Sequence, residues 1–280
     1  MPTHYDVLLV FLIAPFSCAD ATRSIEAETT KNTMANAEKK IREIYLPAGF
    51  AYVNESDSAY SNWLLDLKFK TNRPVYLYDG KLKSNQNVHY GILNIDIGKK
   101  DIIQCADAAV KIRADYLFEK NRIAEINFIA TSGDKISFES WLKGTRWKAQ
   151  GNKLVPYTTT RNVNSIKKDY DAFMNLVYTY CGTYSLSNQL KQVNDISSLQ
   201  AGDIFIKGGF PGHAVTVMAV AQNGGGKKIF LLSQGYMPAQ DIHILKNYAN
   251  ADLNPWYTLS DIYPLYTPEW QFNNGSLKRW

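Results

Sequence analysis

The sequence predicts an α+β fold, and three observations carry that prediction. Apolar residues recur at helical spacing through "DIIQCADAAVKIRADYLFEK", at Ile102, Cys105, Ala106, Ala109, Val110, Tyr116 and Leu117. Three strand-like runs then follow in quick succession, Asp203 to Lys207, His213 to Ala221 and Lys228 to Gln234, the last two joined by the hairpin loop "QNGGGK". A helix ahead of clustered antiparallel strands is the α+β pattern. Composition agrees: 280 residues, 45% hydrophobic and 20% charged, are enough for a sizeable core.

The elements follow in chain order. Residues 1–21 read as an export leader and 22–45 as a polar tether, with 46–280 as one α+β domain. Within it, 46–98 form a β-containing extension and 99–280 the core. Packing is expected to begin near Ile41, with Leu46 to Phe50 as the first turn. Ser61 to Phe69 has helical spacing. Pro74 to Tyr78 is strand-like and stops at Asp79-Gly80, a tight-turn pair. Val88 to Ile97 alternates as a strand. Asp101 is the expected cap of the main helix, with Gln104 three residues on completing a capping-box-like pair. Glu125 to Ala130 and Lys135 to Phe138 flank a Ser132-Gly133 turn. Tyr170 to Tyr180 and Leu186 to Val193 are the further helix expectations. The 18 tyrosines and 6 tryptophans are read as packing residues.

Val7 to Phe16 (VLLVFLIAPF) is a ten-residue apolar run, too short for a spanning helix and of signal-core length. Ala19-Asp20-Ala21 offers a small-x-small cleavage site, and Cys18 offers a lipid-acylation point as the alternative. Loss of residues 1–21 removes Asp6 and Asp20 and no Lys or Arg, so the net charge of +5 becomes +7. An exported chain of that charge is drawn to acidic polymers of the cell envelope. No dense basic run points to nucleic acid, no transmembrane span is expected in the mature chain, and no CxxC or HExxH spacing points to a metal. No cofactor is implied. Cys105 and Cys181 either pair as one disulfide or stay free.

The stretch "GGFPGHAVTVM" delivers His213 from a breaker-rich loop to the mouth of a strand. Counting outward from a Gln222 to Lys227 loop sets Val215 opposite Gln234 and His213 opposite Tyr236. His213 and Gln234 then share one sheet end, within the ~4.5–8 Å reach of facing and diagonal ladder neighbours. An imidazole with one nitrogen held by a side chain can serve as a general base. Gln240 and Asp241, in "MPAQD", are the competing orienters. Cys105, in the opening turns of the main helix, is the candidate nucleophile, because free N–H groups there favour thiolate. Cys181, in "YCGTYS", is the rival thiol.

"LQAGDIFIKGGFPGHAVTVM" and "QCADAAVKIRADYL" together resemble papain-like cysteine peptidases and amidases of the NlpC and CHAP type. The resemblance implies a papain-like core, a helix packed on an antiparallel sheet. It implies Cys105 as nucleophile, His213 as base and Gln234 as orienting residue. Gln104, Gly212, Tyr236, Gln240 and Asp241 are the candidate binding residues around them. From about Pro47 onward the chain also resembles the exported bacterial family called domain of unknown function 4846, on "PVYLYDGKLK", "QCADA", "GDIFIKGGFPGHAV" and "YMPAQDIHILKN". The expected function is an exported thiol hydrolase acting on a cell-wall peptide or similar amide. The alternative from another class is a non-catalytic envelope protein that keeps the fold for binding.

Overall fold

The computed structural model describes residues 1, 39–53, 58–160 and 165–280. The leader, Cys18 and most of the tether lie outside the described residues. From Lys39 to Trp280 the chain forms one compact unit. Ile41 and Ile44 are already buried in it.

Nine strands build one antiparallel sheet: β1 (Phe50–Tyr52), β2 (His89–Ile92), β3 (Lys191–Gln192), β4 (Ile204–Lys207), β5 (His213–Asn223), β6 (Lys228–Gln234), β7 (His243–Leu245), β8 (Tyr257–Thr258) and β9 (Leu277–Arg279). The order is β2-β7-β6-β5-β4-β9-β3, with β1 added to β5 and β8 to β6. Four helices of seven residues or more accompany it among the described residues: α1 (Ser58–Leu65), α2 (Cys105–Glu119), α3 (Ile166–Tyr180) and α4 (Thr183–Gln189). The α+β class is therefore as the sequence predicts. No helix among the described residues is long and apolar enough to cross a membrane.

The central strand shows why the layers form. In β5, Ala214, Met218, Ala219 and Ala221 join the core shared with α2, whose Ala106, Ala108, Ala109 and Val110 are buried there. Val215, Val217 and Val220 join a second core made with Phe205, Tyr257, Leu265 and Phe272. Strand side chains alternate between faces, so small residues on one face let a helix approach closely while β-branched residues fill the other. Met218 and Ala219 fall in the same core because the β5–β6 register shifts between Leu231 and Leu232. A bulge of this kind adds one residue and bends the strand. Before it, Leu231 pairs with Ala219; after it, Ser233 pairs with Thr216. Continued to the strand end, the second register sets Gln234 opposite Val215, as the sequence count expects.

Several boundaries differ from expectation, for tertiary reasons. Pro74 to Tyr78 makes only isolated bridges, from Tyr76 to Leu82 and from Leu77 to Gln240. Its Tyr76 N–H is taken by the Asp241 carboxylate at 2.9 Å. In place of the expected Leu186 to Val193, α4 runs Thr183–Gln189, starting where Ser185 Oγ accepts the Gly182 N–H. It ends before Leu190 because the chain turns extended there to enter β3. Asp203 does more than start a strand. Its carboxylate is fully buried, takes both Nε and Nη2 of Arg279 at 2.6 and 2.8 Å, and fastens β9 onto β4.

Candidate functional site

α2 starts where its chemistry needs it. Gln104 is extended and Cys105 is the first helical residue. The N-cap is thus Gln104, which corrects the expectation for Asp101. Asp107 accepts the Gln104 N–H at 3.1 Å. Asp101 is engaged elsewhere: its Oδ1 accepts the Gln104 side-chain amide at 3.0 Å and the Ala239 N–H at 2.7 Å. That carboxylate ties the helix start to the loop after β6. Helix-opening N–H groups lack partners within the helix, so Cys105 stands among donors.

Two glycines allow the close fit. A Cβ on Gly235 would lie 2.9 Å from the Gln104 carbonyl oxygen and 3.0 Å from Ala108 Cβ. The end of β6 therefore touches the beginning of α2 with no room for a side chain. A Cβ on Gly212 would meet Thr183 Oγ1 at 2.2 Å and two backbone oxygens, of Gly209 and Lys207, at 2.5 and 2.7 Å. Only glycine fits beside His213. Gly235→Ala is expected to cost about 1–3 kcal/mol, the usual range for overpacking, seen as a lower midpoint in urea unfolding. An unchanged midpoint would mean the helix start is loosely seated.

His213 opens β5 and is 2% exposed. Its Nε2 lies 3.0 Å from Gln234 Oε1. An amide oxygen only accepts, so Nε2 carries the proton and Nδ1 is the free basic position. Nδ1 has no hydrogen bond among the described residues. Tyr236, Trp270 and Phe272 surround the ring, with centroids at 5.1, 5.2 and 5.9 Å. Burial, with Lys83 adding to it, brings the imidazole down to about 4 despite the Gln234 bond. It is neutral at pH 7.

The backbone N–H groups of Ala214, the residue after His213, and of the helix opening draw the Cys105 thiol toward ionisation. Sequence-distant Cys105 and His213 thus reach the same end of β5. Burial, reinforced by the neighbouring Asp107 carboxyl, pushes the thiol up to about 11. The expectation of a thiolate is corrected here: the N–H donors favour it, but desolvation outweighs them. Asp107 is itself buried and pushed up to about 8. At rest the thiol is protonated and the imidazole is neutral. Both Cys105 and Cys181 are free. Burial pushes Cys181, at the end of α3, up to about 12.

The remaining expected residues divide. Tyr236 flanks the ring, and its hydroxyl sits 3.5 Å from the Glu269 carbonyl oxygen. The Asp241 carboxylate is taken by Lys70 at 2.7 Å and by the Tyr76 N–H at 2.9 Å, and Gln234 is the residue bonded to His213. Gln240 is buried and bridges to Leu77. Phe210, three residues before His213, and Met237, next to Tyr236, are exposed apolar side chains beside these elements. Among the described residues no group of three or more His, Cys, Asp or Glu side chains is placed to hold a metal ion.

Sequence reasoning missed a buried polar network behind Gln234. Gln234 Nε2 donates to Glu269 Oε2 at 2.7 Å and lies 3.3 Å from His243 Nε2. Lys83 Nζ holds the other carboxylate oxygen, Oε1, at 2.7 Å. His243 is fully buried, with Nδ1 2.8 Å from the Asp241 carbonyl oxygen. His89 packs edge-on against it at 5.9 Å. In the β6–β7 ladder His243 stands directly opposite Gln234.

With this geometry in view, comparison with known families is informative. A family model described as "Domain of unknown function (4846)" matches residues 41–279. The chain belongs to this family. The match takes in every element of the sheet and all four helices, so the Cys105–His213–Gln234 arrangement lies wholly inside the family region. No curated protein and no solved structure matches the chain.

Proposed function

We propose that the chain is an exported thiol hydrolase, a peptidase or amidase, that opens an amide of a cell-wall peptide or similar substrate. The observation that carries this reading is the Nε2–Gln234 bond of His213 at 3.0 Å, which leaves Nδ1 bare at the sheet end on which the start of α2, with Cys105, is seated. A nucleophile, a base and a residue orienting that base are the parts covalent acyl transfer requires. In the first step His213 Nδ1 takes the thiol proton as sulfur bonds to the amide carbon. The carbonyl electron pair moves to oxygen, within reach of the N–H groups opening α2. Collapse breaks the C–N bond, and His213 returns the proton to the departing amine. Water, deprotonated by His213, then opens the thioester to give the acid and the free thiol. The envelope location rests on the apolar run Val7 to Phe16 and on the basic charge of the chain.

Release of peptide fragments from purified cell wall by the intact protein tests the reading; no release at any pH between 4 and 10 overturns it. The pH profile is a further expectation. Only neutral imidazole accepts a proton, so kcat/KM should rise as pH increases through about 4, where burial has brought His213. It should then stay level until Asp107 ionises near 8, where a new negative charge pushes the thiol still higher and the rate falls. A rise centred near 6.5 instead would show an unperturbed histidine. The second reading, a non-catalytic envelope-binding protein, draws its support from the same thiol: held at about 11, it is barely ionised at neutral pH.

A further inference from the structure

A side-chain amide has two ends of nearly equal shape and opposite hydrogen-bonding character. If Gln234 turns its oxygen to His213, the ring proton sits on Nε2 and Nδ1 is free to accept from sulfur. If it turns its NH2 group instead, Nε2 must accept, the proton moves to Nδ1, and the ring can no longer act as the base toward the thiol. The contact at 3.0 Å does not itself choose between these states. The choice is made at the other end of the amide. There Glu269 Oε2, at 2.7 Å, is a carboxylate oxygen that only accepts, so it demands the NH2 group. Lys83 Nζ, itself 7% exposed, grips the second oxygen at 2.7 Å and fixes where the carboxylate stands. A second acceptor demand comes from His243. Its Nδ1 faces a carbonyl oxygen at 2.8 Å and therefore carries the proton, leaving Nε2 as an acceptor 3.3 Å from the same Gln234 nitrogen.

We infer that Glu269, clamped by Lys83, is a positioning residue that sets the orientation of Gln234 and thereby keeps the His213 proton on Nε2. The assignment rests on the reading of His213 as the base. Its test reads the ring itself and needs no turnover. Long-range ¹H–¹⁵N correlation spectra of the full-length ¹⁵N-labelled protein at pH 7 report which nitrogen of each of the four histidines is protonated. His213→Gln identifies the His213 signals. In the wild type His213 is expected wholly as the Nε2–H form; finding Nδ1–H overturns the inference outright. Glu269→Gln can present either an oxygen or an NH2 group to Gln234, and should raise the Nδ1–H form to about half. Glu269→Asp keeps a carboxylate and should restore Nε2–H. A folded Glu269→Gln protein whose His213 stays Nε2–H refutes the role of Glu269. Should unpaired Lys83 unfold that variant, the charge-free pair Lys83→Met with Glu269→Gln is measured the same way, with the same two outcomes. Absence of hydrolysis with an intact tautomer response would sink the proposed function and leave this inference standing.

Discussion

Cys105→Ala is expected to reduce amide release from cell wall by a factor of ~10⁴ or more, because removal of a nucleophile from a unit that works jointly erases most of its acceleration. The stability of the protein should change little, since sulfur is replaced by a small apolar group at the first position of a helix, where alanine is well tolerated. Cys181→Ala is the matched control. It deletes a thiol of similar burial at the end of α3, and release should continue at the wild-type rate. Chromatography of the soluble peptides distinguishes the cases. If both variants keep full activity, sulfur takes no part and the hydrolase reading fails. If Cys181→Ala alone is inactive, the nucleophile has been assigned to the wrong helix.

Lys83→Met carries the largest expected effect on stability. Lys83 and Glu269 are 7% and 14% exposed, so each is poorly solvated without the other. Breaking such a pair from one side typically costs about 3–5 kcal/mol, most of it the penalty of a stranded buried charge. For a domain of this size that is a drop of roughly 10 °C in Tm. Adding Glu269→Gln to Lys83→Met should recover most of the loss, because an uncharged pair is inexpensive to bury. Scanning calorimetry of the single and double variants checks both statements. A single variant as stable as the wild type would show that water reaches the pair.

The sequence made one part of this site readable and concealed another. Cys105, His213 and Gln234 are legible because each follows from local periodicity: a helix opening, a strand mouth, and a hairpin counted outward from its loop. Counting outward from a Gln222 to Lys227 loop gives the right partner for Gln234 although Gln222 is itself paired with Lys228, because the bulge near Met218 absorbs the extra residue. Glu269 and Lys83 were not legible. They are 186 residues apart, and neither sits in a pattern that marks burial. "DGKLK" reads as a solvated turn, and only the docking of the segment near Trp270 makes it an interior. Asp101 shows the same limit from the other side. Its type predicts a helix cap, but the Ala239 N–H, 138 residues away, is the stronger claimant. The depressed basicity of His213 and the raised thiol were equally hidden, since both arise from desolvation by distant aromatic and helical neighbours.

The strand formed by Leu277 to Arg279 pairs with β4, while Glu269 braces the interior behind His213. A polypeptide still emerging from the ribosome therefore cannot finish its largest sheet before its last strand has been added, nor complete the polar network behind His213 before Glu269 has.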